Sequence, residues 1–383
     1  MAGTSSSSGA PLSGAGKAVF AGGGDFQSEL RRRAAEVLTP ARVRRGRRLA
    51  GLKAVLIMGW ALGSYLGLLL WARSVWTVVP LALSLGLALA GIGFAIAHDA
   101  NHGALLRGRR RNRILGLTMD LIGASSYVWR TKHNGAHHSF TNVVGADDDI
   151  DQMPLLRLAP DQARRRFHRW QHLYAWPVYG LFALQHHVFG DVVQVATGRI
   201  GASARLPRPS GLELALFVVG KAVFWSWALV IPLLVAPWWA VVATFLACSW
   251  VLGFTLATVF QLAHSVEEAS FSSVERLRAG PPPTWAVHQV ESTVDFATGN
   301  RLLGWYLGGL NFQIEHHLFP RVCHVHYAHL LEAVRETCIR HDVRHVAQPS
   351  LGAALASHAR WLRRMGRLET GVEAEARSAM AAG

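Results

Sequence analysis

Cysteine is scarce in this chain of 383 residues: there are three, Cys248, Cys323 and Cys338. No CxxC spacing joins them and Cys248 lies inside an apolar run, which excludes a disulfide scaffold and a thiolate metal site. No HExxH occurs, which argues against a zinc protease. Acidic residues are also few: 24 Asp and Glu face 39 Lys and Arg, for a formal net charge of +15. The start lacks an early apolar core. Met1 to Gly24 is rich in Ser, Gly and Ala, so no cleavable signal peptide is evident, and residues 1–24 are expected to form a disordered tail.

Apolar residues are abundant, at 51% of the chain, and they gather in blocks. Four runs, roughly 50–71, 75–97, 213–236 and 238–260, are each long enough to cross about 30 Å of hydrocarbon as a helix. A short link around Arg73 joins the first pair, and Pro237-Trp238-Trp239 hinges the second. The basic residues flank these blocks, so membrane topology and lipid headgroups explain the charge excess before nucleic acid does. Residues 25–49 form a basic lead-in, 50–345 the membrane domain and 346–383 a basic, Ala-rich tail that is expected to be helical and frayed. Positive segments stay in the cytoplasm. The chain therefore reads as an all-α integral membrane protein, with four transmembrane helices in two hairpins and a helical cap on the cytoplasmic face. Residues 172–190 are apolar but broken by Pro177, His186 and His187, and are expected to form an interfacial helix.

Among the 19 histidines, eight lie just beyond the apolar runs. Three boxes read His98-Asp-Ala-Asn-His102, His133-Asn-Gly-Ala-His137-His138 and Gln313-Ile-Glu-His316-His317, and His264 follows the fourth run. His98 and His102 share one helical face, as do His133 and His137, whereas His138 is rotated by about 100° and can reach a second ion. Such pairs, drawn together from several helices, build a two-metal site in a helical frame. Nitrogen-rich coordination suits iron or copper in oxygen chemistry. Asp99, Asn142, Asp147, Asp148, Asp149 and Glu315 are candidates to hold the imidazole tautomers.

Four stretches resemble the membrane fatty acid desaturases: Trp129 through Asn142, the acidic run Asp147 to Asp151, His288-Gln289-Val290, and Gln313 through Pro320. They most resemble the bacterial acyl-CoA or acyl-lipid branch, related to front-end and linoleoyl-type enzymes, whose third box begins with Gln. The resemblance covers about residues 40–345. It implies a cytoplasmic di-iron site with His98, His102, His133, His137, His138, His264, His316 and His317 as ligands. Gln313 stands where stearoyl-type relatives carry a ligating histidine. The resemblance further implies insertion of a cis double bond into an acyl-CoA or acyl-lipid chain with O2 as co-substrate, in a bacterial inner membrane. The chain carries no His-Pro-Gly-Gly haem motif, so a separate donor of ferredoxin or cytochrome b5 type, with its reductase, is expected. A lipid hydroxylase on the same scaffold is the nearest alternative, and a membrane metal-binding or transport protein is an alternative of another class. His168, His172, His186 and His187 are expected to make local hydrogen bonds or headgroup contacts. His324, His326 and His329 are expected to support the site or the substrate entrance. Trp129 and Trp305 are candidates either for the acyl tunnel or for an interfacial belt.

Overall fold

The computed structural model describes residues 20–201 and 204–368. It is mostly helical, with four helices long and apolar enough to cross a membrane: Pro40–Leu70, Val75–Asn101, Gly211–Leu233 and Trp238–His264. These helices outrun the apolar blocks at their polar ends. The first starts at Pro40, where Thr39 accepts the Arg42 N–H at 3.4 Å and proline suits the first helical position. Much of the basic lead-in is thus the opening of the first span. It is preceded by a separate helix, Asp25–Val37. The second and fourth spans run on far enough to carry His98 and His264 themselves.

The second span is the centre of the bundle. It packs between the first and the fourth, and 67% of its most apolar window is buried, against 11% for the third span. The third span therefore keeps most of its apolar surface for lipid, as expected where hydrocarbon replaces water. A few hydrogen bonds pin the bundle: the Trp60 indole N–H donates to Ser84 Oγ at 2.8 Å, and the Tyr65 hydroxyl donates to the Trp227 carbonyl at 2.7 Å.

The segment expected as one interfacial helix is broken into Gln171–Tyr179, Leu181–Gln185, a π turn at His186–Gly190, and Asp191–Thr197. The first two pack along the fourth span. Their backbone comes so close there that a Cβ on Gly253 would lie 2.6 Å from the Gly180 carbonyl oxygen and 2.8 Å from the Ala183 nitrogen.

The C-terminal region is helical, as expected, but over its described residues it is packed and not frayed. Leu351–Arg367 is an amphipathic helix that buries Ala354, Ser357, His358, Trp361, Leu362 and Met365. Its apolar face, obscured in sequence by the flanking arginines, packs on the helix Gln171–Tyr179 and the turn before it. Arg157, with no exposed surface, donates to the carbonyls of Gln162 and Met365 at 2.7 Å each and locks the helix end in place. Residues 369–383 of that tail lie outside the described residues, as do residues 1–19 of the N-terminal one. Beyond them, Ala21 pairs with Thr284, and the Phe20 ring lies 4.8 Å from that of His288.

Replacing Gly253 by Ala should push the Gly180 backbone off the fourth span, at a cost of about 1–3 kcal/mol as in other overpacked contacts. The melting temperature of the purified protein is expected to fall; an unchanged value would contradict this close approach.

Candidate metal centre

Four elements deliver the histidines. The second span widens into a π turn at Gly93–Ala97, then ends in His98–Asn101 with His102 as its cap. The second box is not α-helical: Ser126–Trp129 is α, but Arg130–His137 is a π-helix. Inserted i→i+5 turns of this kind re-aim side chains and recur at functional sites. The third box is the short helix Gln313–Leu318, all of it buried. His264 is the last residue of the fourth span.

The ring nitrogens form overlapping groups in which potential ligand atoms lie within 4.8 Å of one another: His98, His102, His133 and His316; His137, His264 and His317; and His138, His316 and His317. The π geometry changes the expected role of His138. Its Nε2 lies 3.2 Å from His133 Nε2, and its ring is 4.7 Å from His316 and 4.3 Å from His317. It therefore stands between the first two groups, and it is His137 that joins His264, at 4.7 Å. Gln313 places its amide nitrogen 2.9 Å from His264 Nε2, while its Oε1 has no partner.

The candidate supporting residues divide. Asp99 lies 3.4 Å from His98 Nδ1. Asp147 accepts from His137 Nδ1 at 3.1 Å, and Asp149 lies 3.4 Å from the same nitrogen. Asn142 supports the backbone instead, donating to the His264 carbonyl at 2.9 Å. Asp148 does not hold a ring; it pairs with Lys132 at 2.8 Å. Glu315 also turns away from the cluster, toward His345 at 3.9 Å, because two residues from Gln313 and one from His316 is the wrong face of a helix.

Other partners carried no signal in their spacing. Gln289 Oε1 accepts from His317 Nδ1 at 2.7 Å, and the Tyr327 hydroxyl lies 3.0 Å from His316 Nδ1. His288, in the same motif as Gln289, binds the Thr141 carbonyl at 2.8 Å and stays out of the cluster. His168, His186 and His187 make local hydrogen bonds.

A cavity of about 770 Å³ opens beside the rings of His98, His133, His137 and His264. Apolar walls from Ile122, Val128, Leu252, Leu256 and Phe260 continue it. Trp129 lines it and stacks on His133 at 4.3 Å. Trp305 is not on its wall; it sits beside Lys53, 5.2 Å from the ammonium.

Burial is the main cause of a depressed pKa at His102, His138, His316 and His317, and it takes His133 down to about 3; the neighbouring rings add to it. Burial also opposes the charged form of His137, but Asp147 and Asp149 outweigh it and raise its pKa. The five depressed rings are therefore held neutral, each with a lone pair to offer. On unfolding they regain the ordinary value of about 6.5, so the unfolded chain takes up protons that the folded one refuses. That stability is complete above about pH 6.5 and is lost as pH falls toward the folded values. Among these rings His137 has the opposite sign, as does the buried Glu315 carboxyl, which burial raises to about 7. Metal-free protein should melt at a lower temperature at about pH 5 than at about pH 7; a flat profile would contradict neutral burial.

The family model described as fatty acid desaturase matches residues 74–349. The chain is 37% identical to an acyl-lipid (8-3)-desaturase of Physcomitrium patens, over 83% of this chain and 66% of that one. It is 34% identical to an sn-1 linoleoyl-lipid 6-desaturase of Arthrospira platensis, over 82% and 85%, and 33% identical to one of Synechocystis sp., over 78% and 87%. The chain thus spans just under two thirds of the moss protein and most of the cyanobacterial ones. With histidines at the ends of two spans and an apolar cavity beside them, the chain belongs to the fatty acid desaturase family, the oxidoreductases that introduce double bonds into fatty acyl chains.

Proposed function

We propose that this fatty acyl desaturase forms a cis double bond in the acyl chain of a membrane lipid, at two irons held by His98, His102, His133, His137, His138, His264, His316 and His317. The observation that carries the reading is a set of orphaned atoms. His98, His102, His316 and His317 Nε2 and Gln313 Oε1 are all buried without a partner. A buried polar atom left unpaired costs about 1–3 kcal/mol, and metal ions would satisfy the whole set together. The donors are nitrogen-rich and lack thiolate, which fits iron in oxygen chemistry. When bound, the irons supply the O2-derived oxidising power that takes hydrogen from two neighbouring methylenes.

The chain's own residues do the rest. Asp147 and Gln289 hold the Nδ1–H of His137 and His317 and leave each Nε2 free for an ion. The apolar walls keep water from the oxidant and fix which methylene lies beside it, a positioning effect. The carrier follows from charge. The only Lys or Arg among the described lining residues is Lys132, and it is already paired with Asp148 and Asp149. No free cation is left on this wall for the phosphates of a CoA carrier, so a membrane lipid fits better. That is also the substrate class in the names of the moss and cyanobacterial relatives.

The Arg-rich flanks of the spans support two hairpins, with the boxes and both termini on the cytoplasmic face of a bacterial inner membrane. The exposed arginines Arg109, Arg110 and Arg111 would attract an acidic electron donor, of ferredoxin or cytochrome b5 type.

The test is the fatty acid profile of host membranes expressing this chain or its His137→Ala variant, with donor and reductase supplied or omitted. An unsaturated acid, located by mass spectrometry and formed only with intact His137, donor and reductase, is expected. A hydroxylated acid, or no new acid from folded, iron-loaded protein, would contradict the reading.

A further inference from the structure

Lys53 lies in the first span just past Ala50, where the apolar run begins, yet it is only 5% exposed. A buried ammonium is costly unless it has a partner, and in a membrane helix it marks a function by default. Its Nζ lies 3.0 Å from His324 Nε2. On the other side of that ring, Nδ1 lies 2.7 Å from Asp99 Oδ2, and the His324 backbone N–H donates to the same oxygen at 2.9 Å. The second oxygen, Asp99 Oδ1, lies 3.4 Å from His98 Nδ1.

The chemistry of the two ends removes any choice of tautomer. A carboxylate only accepts and an ammonium only donates. His324 must therefore carry its proton on Nδ1 and accept from Lys53 on Nε2. Asp99 is thereby held to receive the Nδ1–H of His98, and the Nε2 lone pair of His98 is left facing the histidine cluster, where it is buried and unpartnered. Asp99, Cys323 and His324 also offer potential ligand atoms within 4.8 Å of one another, but with Nδ1 protonated toward Asp99 and Nε2 accepting from Lys53 the His324 ring has no lone pair left for an ion.

We propose that Lys53 is a positioning residue for His98, acting through His324 and Asp99; this rests on the two-iron reading above. The line is specific to one half of the centre. It ends on His98, in the group with His102, His133 and His316, whereas His137 in the other group is held by Asp147. Loss of Lys53 should therefore disturb one metal and spare the other, a signature that general loosening of the fold does not produce.

The experiment compares Mössbauer spectra and chelator-release rates of iron-loaded full-length protein, as wild type, Lys53→Met and Lys53→Gln. Two iron signals are expected in the wild type. In Lys53→Met one signal should change and its iron leave on the order of tenfold faster, within the range seen when an outer-sphere partner of a ligand is lost. Lys53→Gln should restore most of the wild-type behaviour, because its amide can donate to His324 Nε2. His324→Phe breaks the line at its middle, should give the same one-iron signature, and stands in if Lys53→Met does not fold. Spectra and release rates unchanged in Lys53→Met would overturn the proposal. So would equal disturbance of both irons. A wild type with fewer than two irons would overturn both this proposal and the two-iron reading.

Discussion

Eight imidazoles buried against one another are the constraint on which this structure depends. A neutral imidazole nitrogen in the interior needs a partner, and here the rings turn nitrogens toward a common space, where the Nε2 atoms of His98, His102, His316 and His317 find none. Each ring must also be prevented from rotating to a better partner. Asp99, Asp147, Gln289 and Tyr327 do this by engaging the opposite nitrogen of His98, His137, His317 and His316. An interior that leaves so many lone pairs unanswered is costly by itself, and it becomes reasonable as the socket for ions.

The membrane helices serve that socket. Two of them extend past their apolar blocks, one carrying His98 in its last turn and the other His264 as its last residue, so rigid spans position the ligands where loops would not. Widened turns at Gly93–Ala97 and Arg130–His137 adjust the aim of the first two boxes. The cavity reaches the rings between the second and fourth spans and is roofed by the broken helices after Gln171. The C-terminal helix closes the assembly, with His358 bridging the Ser265 carbonyl beside His264 and the Tyr179 hydroxyl on the cavity wall, at 2.6 and 2.7 Å.

Much of this was legible in the sequence, for identifiable reasons. Apolar run length reports membrane-crossing helices directly, and each of the four runs falls on one of the four long apolar helices, overrunning it by a few residues at most. The boxes stood out because histidine at short spacing just beyond an apolar run has few structural uses. What spacing could not report was contact between distant segments. Gln289, Tyr327 and His324 meet the centre only through tertiary packing, and Lys53 is a single charged residue in an apolar run. Spacing did not show that His138 stands between the two groups while His137 lies beside His264, because a π-helix runs where an α-helix was assumed. Glu315 drew attention by standing inside a box, yet its position on the helix turns it outward. The C-terminal segment was legible as a helix but not as a packed one, because its arginines hid an apolar stripe.

The central claim is that these histidines hold two metal ions. Anomalous scattering from a crystal of the full-length protein, measured on both sides of the iron absorption edge, tests it most directly. The account predicts two iron peaks within the ring of Nε2 and Nδ1 atoms, one beside His98, His102 and His316 and the other beside His137, His264 and His317. A single peak, or none in protein that forms product, would contradict it.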